Sequence, residues 1–176
     1  MERSGFDHTP LLHSCEPNDW PSGRFRADDD WYTLCALLEL VATHSNTYYF
    51  RMLVAGFNGT SPGPAITVNA GDRIIARVKN IDIKDGTAMH WHGILQTLSN
   101  NMDGVVGVTQ SKIMIGQTFE YNFLVDEAGT FWYHAHFTTQ YMQGARAALI
   151  VLDPLETIYT NRVLMLADWY HDVSLT

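Results

Sequence analysis

From Thr47 onward, apolar and polar residues alternate in short runs divided by turn residues, the two-residue period of extended strands. "TYYFRMLVAG" (47–56) is the first such run, and Asn58-Gly59 and "SPGP" (61–64) end it. "AITVNAG" (65–71) and "RIIARVKN" (73–80) follow, rich in β-branched residues and divided at Gly71-Asp72. A strand around His90 comes next, then a loop rich in glycine and asparagine between Asn100 and Gly107. "QTFEYNFLV" (117–125) alternates cleanly, with Phe119, Tyr121, Phe123 and Val125 on one face and Glu120 and Asn122 on the other. Gly129 opens a strand that carries His134, and "RAALIVLD" (146–153) is a further one. There is no long amphipathic helix and no repeat. Strands at roughly ten-residue spacing predict an all-β antiparallel sandwich or barrel.

The two ends differ from this pattern. Residues 1–46 show no clear periodicity, are punctuated by Pro10, Pro17, Pro21 and Gly23, and read as an irregular N-terminal extension. Inside it, "TLCALLELVAT" (33–43) is a short apolar run interrupted by Glu39, too short to span a bilayer. It reads as a buried helix or strand, with a secretory signal core displaced by the extension as the alternative. No ordinary signal peptide opens the chain, because Glu2, Asp7, Glu16, Asp19 and the run Asp28, Asp29, Asp30 leave no apolar core there. After Asp153-Pro154, a linker leads to the apolar "NRVLMLADWYH" (161–171), expected either to dock on the preceding domain or to start a second one. The expected division is 1–46 extension, 47–155 β domain, and 156–176 linker and first strand of a further domain.

Composition narrows the function. A chain of 176 residues with 46% hydrophobic content supports one domain with a sizeable core. A formal net charge of −8 argues against nucleic acid or anionic lipid as the main partner and tolerates a cationic ligand. Cys15 and Cys35 lie in no zinc-like spacing and are equally consistent with one disulfide or two free thiols. Asn58-Gly59-Thr60 is a glycosylation sequon, but Asn-Gly is also a plain turn signal, the simpler reading. No glycine-rich phosphate loop and no GxSxG motif is present.

The chemistry lies in two stretches, "AMHWHGILQ" (88–96) and "GTFWYHAHF" (129–137). Residues i and i+2 of a strand share a face, so His90 and His92 project together with Trp91 opposite, and His134 and His136 together with Ala135 opposite. Such rings are separated by roughly 6 to 7 Å at Cα, wide for one ion but suited to two neighbouring ions that each take one imidazole from each pair. Imidazole suits copper, zinc, iron and nickel, with copper leading by affinity. The absence of carboxylate or thiolate in these tripeptides disfavours magnesium, calcium and iron–sulfur chemistry. One such pair is a coincidence many strands show; four partnerless imidazoles in apolar strands would each cost on the order of a kcal/mol or more. His8, His13 and His44 lack this company and read as surface residues, and His171, beside Asp168 and Trp169, as structural.

"HWHG" (90–93) and "WYHAH" (132–136) resemble the two N-terminal copper signatures of the multicopper oxidases, the laccase and ferroxidase group. The resemblance covers about residues 50–171 and includes "NGTSPGPAI", "MDGVVGVTQ", "GQTFEYNF", "GTFWYHAHFTTQY" and "LADWYH". It implies a cupredoxin domain, a Greek-key β-sandwich. It further implies that His90 binds the type 2 copper, that His92 and His134 bind one ion of the type 3 pair, and that His136 binds the other. Asp103 matches a carboxylate beside the cluster that helps move protons to reduced oxygen; its bland alternative is a turn residue before Gly104. The family takes electrons from a substrate, phenolic or ferrous, at a type 1 copper and passes them to a three-copper cluster, where O2 becomes water. The type 1 site needs a cysteine thiolate with two histidines; in the family that cysteine lies between two cluster histidines in a His-Cys-His tripeptide, and neither Cys15 nor Cys35 sits in one.

With four of the eight cluster histidines, the chain is expected to supply half of the trinuclear ligands as an N-terminal domain and to be inactive alone. The alternative is a stand-alone or truncated copper-binding module, and a third arrangement has a complementing chain bring the remaining histidines. Two departures stand out: Ser111-Lys112 where the family has Cys-Pro, and Gln143-Gly144-Ala145 where it favours Asp-Gly-Leu. Family resemblance implies a secreted or membrane-associated protein.

Overall fold

The computed structural model describes residues 23–26, 32–47, 50–153 and 162–170. Among these, the strands are β1 (Gly23–Arg26), β2 (Tyr32–Thr47), β3 (Phe50–Phe57), β4 (Ile66–Asn69), β5 (Arg73–Asn80), β6 (Met89–His92), β7 (Thr118–Leu124), β8 (Gly129–Ala135) and β9 (Arg146–Leu152). One sheet runs β1-β2-β5-β7 with β3 also paired to β2, and the other runs β4-β9-β8-β6. The fold is a β-sandwich, as the strand pattern predicts, and a cupredoxin-like one, as the resemblance implies. No helix among the described residues is long and apolar enough to cross a membrane.

Two features differ from the antiparallel arrangement expected. β2 pairs parallel with β5, and β4 pairs parallel with β9. The chain changes sheet at nearly every connection after β3, so strands that become neighbours often run in the same direction. The stretch 1–46, read as irregular, contains β1 and most of β2. The run 33–43 is therefore strand, lying between β5 on one edge and β1 and β3 on the other, with Leu38 and Leu40 fully buried. Its nearly continuous apolar character is what a strand enclosed in this way requires.

The core lies between the sheets. Trp91 of β6 packs on Tyr121 and Phe123 of β7 at ring-centroid distances of 5.6 and 5.0 Å, and on Tyr133 of β8 at 5.6 Å. Phe57, Ile74, Val78, Met89 and Leu149 complete the buried cluster. Tyr121, Phe123 and Val125 are buried and Phe119 half-buried, the face the alternation predicts. The buried hydroxyls are satisfied: Tyr133 donates to the Pro64 carbonyl at 2.6 Å, and Tyr121 accepts from the Met89 amide and donates to Gln110 Oε1, both at 2.8 Å. Burial raises the pKa of both phenols, so they remain protonated donors.

The turn reading of Asn58-Gly59 holds. Both residues have positive φ, 52° and 74°, and Phe57 and Thr60 exchange backbone hydrogen bonds across them. Residues 162–170, expected to form a strand, belong to no sheet among the described residues, and Leu164 and Leu166 are 80% and 85% exposed. His8, His13, Cys15 and His171 lie outside the described residues.

Candidate metal centre

β6 and β8 lie antiparallel, with His90 directly opposite His134 and His92 opposite Trp132. Opposite residues of an antiparallel pair share a face, so alternation turns Trp91 and Tyr133 into the core and the histidines outward. His136 follows the end of β8; its amide donates to the Ala88 carbonyl at 2.8 Å, which continues the ladder past the last assigned residue. All four imidazoles thus meet on one face. The His90 ring centroid is 5.3, 5.4 and 5.3 Å from those of His92, His134 and His136, and His134 lies 5.6 Å from His92 and 5.8 Å from His136. One ligating nitrogen from each of His90, His92 and His134 falls within a mutual 4.8 Å.

Hydrogen bonds fix which nitrogens are free. His90 Nδ1 lies 2.7 Å from the Asp103 carbonyl, and His134 Nδ1 lies 3.0 Å from the Ala135 carbonyl. A carbonyl only accepts, so both rings carry their proton on Nδ1 and present an Nε2 lone pair. His134 Nε2 then faces His92 Nδ1 at 3.3 Å. His134 is 6% exposed. Burial lowers its pKa to about 4; the bond to Ala135 opposes this, and the neighbouring histidines add to it. The His92 pKa is lowered too, first by burial and then by His90 and His136, although one side of the ring is open to solvent. Both rings are neutral at pH 7, the form that binds metal.

Asp103 follows a short 3-10 turn, Asn100–Met102, that brings the loop across the edge of β6. Its carbonyl anchors His90, and its carboxylate Oδ1 is 3.4 Å from the same Nδ1. Gly104 makes this approach feasible: φ is +83°, and a Cβ there would sit 1.7 Å from the Met89 carbonyl oxygen. A second support lies behind the cluster. Buried Gln140 donates to the Gly86 carbonyl at 2.8 Å and accepts from Thr87 Oγ1 at 2.7 Å, tying the segment after His136 to the one before His90. Beside His134 and His136 is an open cleft of about 350 Å³, also lined by Val105, Val106 and Tyr141.

Every residue singled out for the site in the sequence is therefore brought together: His90, His92, His134, His136 and Asp103. Trp132 was missed. It stacks on His92 at 4.8 Å and 26° and on His134 at 4.3 Å and 29°. Its position two residues before His134 was the available signal, since 132, 134 and 136 share a face. The donor set fits copper: four imidazoles gathered on one face, two of them oriented by backbone carbonyls, and no carboxylate among these four side chains.

Residues 42–156 match the family described as multicopper oxidase. The chain is 43% identical over 127 residues to the iron transport multicopper oxidase fetC of Epichloe festucae, covering 70% of this chain and 20% of that protein. It is 44% identical over 176 residues to Laccase-1 of Botryotinia fuckeliana, covering 97% of this chain and 30% of that one. Among solved structures, the multicopper oxidase Fet3p, which functions in iron import, aligns with a TM-score of 0.72 at 36% identity over 80% of this chain and 27% of its own. The laccase from Botrytis aclada aligns with a TM-score of 0.68 at 42% identity over 69% of this chain and 23% of its own. The chain spans less than a third of the length of these relatives.

Proposed function

Because the chain belongs to the multicopper oxidase family, we propose that it is an N-terminal copper-binding domain that supplies half of the ligands of a trinuclear cluster for reducing O2 to water. The single observation that carries this reading is the approach of His92 Nδ1 to His134 Nε2 at 3.3 Å, with the other nitrogen of His134 already bound to a carbonyl. Two lone pairs so placed are suited to one shared cation. In this reading His92 and His134 hold one type 3 ion, His136 holds the other, and His90 holds the type 2 ion. Copper, when bound, supplies one-electron redox chemistry toward O2. The protein's part is to orient the imidazoles and to keep His92 and His134 neutral. The half-exposed Asp103 carboxylate, 3.4 Å from His90 Nδ1, is placed to carry protons from solvent toward the cluster.

Four imidazoles cannot saturate three coppers, and no His-Cys-His tripeptide is present for electron entry. The reducing substrate, phenolic or ferrous, is therefore handled by residues beyond these four histidines, on further domains or a complementing chain. A secreted or membrane-associated location fits this role. Purified chain titrated with copper should bind it, lose binding when His92 and His134 are replaced by alanine, and oxidise neither phenols nor ferrous iron. Turnover by the chain alone would overturn the half-site reading, and unchanged binding in the double variant would overturn the ligand assignment.

A further inference from the structure

The four imidazoles are not held alike. His90 and His134 each have Nδ1 pinned by a backbone carbonyl. His92 has no such anchor among the described residues. Its Nδ1 faces His134, and its exposed side is open to water. A ring in this position is free to turn about its χ angles unless packing stops it. What packs on it is Trp132. The register sets Trp132 directly across from His92, and the indole lies nearly parallel to that imidazole, 26° at 4.8 Å. The same indole lies 29° and 4.3 Å from His134, its neighbour two residues along β8. Tyr141 closes in on Trp132 at 6.2 Å and 68° and on His134 at 5.4 Å and 55°, buttressing the stack.

We propose that Trp132 is a positioning residue for the His92–His134 pair: one flat indole under both imidazoles fixes their planes so that Nδ1 of one and Nε2 of the other address a single ion. This rests on the copper-site reading above. Trp132 donates nothing to the metal. It acts by removing the rotational freedom of His92 before binding, so less ordering remains when copper arrives. The indole extends far enough to lie under both rings, whereas a phenyl ring lies under one of them.

The test is copper affinity, measured by competition with a chelator, for the full chain carrying Trp132→Val or Trp132→Phe, each alone and combined with His92→Ala or His90→Ala. Trp132→Val should bind copper roughly 10- to 100-fold more weakly, the range seen for residues that orient metal ligands. Phe, which reaches only one of the two rings, should recover only part of the loss. In the His92→Ala background, most of the cost of Trp132→Val should vanish, whereas in the His90→Ala background it should persist, since Trp132 acts on the first ring and not the second. A cost equal in all backgrounds, or no cost at all, would overturn the inference while leaving the copper site standing. Failure of the unsubstituted chain to bind copper would overturn both. Should Trp132→Val not fold, the same cycle run with Phe decides the matter by the same criterion.

Discussion

His92 Nδ1 and His134 Nε2 stand 3.3 Å apart, contributed by neighbouring strands from positions 42 residues apart in the chain. His134 Nε2 is a lone pair because its Nδ1 proton is committed to Ala135. In the metal-free protein, His92 can meet that lone pair with a proton on Nδ1. A cation shared by the two rings would take the place of this proton, with His92 in its other tautomer. The pair is thus complete without metal and receptive to it.

Acid should destabilise the metal-free chain through His134. Its pKa is about 4 when folded against an ordinary value of 6.5, so the unfolded chain binds more protons between these limits. The stability it contributes is fully present above pH 6.5 and is lost as the pH falls toward 4. The full effect is on the order of 3 kcal/mol. Urea unfolding at pH 7 and pH 4.5 should show this slope, and His134→Leu should flatten it. An unchanged slope in the leucine variant would assign the acid sensitivity to other groups.

Gly104→Ala should be severely destabilising. The added Cβ has no room against the Met89 carbonyl oxygen, and φ of +83° is strained for alanine. A loss of more than about 2 kcal/mol is expected, read as a shift of the denaturant midpoint. Asp103→Asn, by contrast, retains the backbone carbonyl that anchors His90 and should stay within about 0.5 kcal/mol of the parent.

Tyr121→Phe removes a hydroxyl that serves the Met89 amide and Gln110 at once. Leaving the buried Met89 amide unpaired should cost about 1–3 kcal/mol. The Met89 amide, one residue before His90, should also exchange with deuterium faster, whereas the amides of β9 should not.

Gln140→Leu should act similarly on the other flank. Gly86 O and Thr87 Oγ1 both lose a buried partner, at a cost of about 1–3 kcal/mol. Because Gln140 holds the segment that follows His136, copper affinity should fall along with the unfolding midpoint. A drop in stability with affinity intact would limit Gln140 to the core.

The site was legible in the sequence because a two-residue period decides which side chains share a face, and that period needs no knowledge of partners. His90 with His92, His134 with His136, and the Phe119-Tyr121-Phe123-Val125 face all follow from it. β2 was less legible. Its apolar run shows no alternation because it is enclosed, and whether such a run is helix or strand depends on β5 and β3, which the run itself does not encode. The parallel pairings β2–β5 and β4–β9 are likewise a matter of how the chain crosses between sheets. For 162–170 the apolar composition suggests a strand, but a strand requires an edge to pair with, and no such pairing exists among the described residues.

Trp91 stands between His90 and His92 in sequence and points the opposite way, fully buried against Tyr121, Phe123 and Tyr133. Sliding β6 by one residue would drive two imidazoles into the aromatic core and push the indole into water, and the same holds for β8 through Tyr133. The core therefore proofreads the alignment of the ligands. Any odd slip that turns the histidines off their shared face also wets the tryptophan, so the face on which the imidazoles gather is inherited from hydrophobic packing.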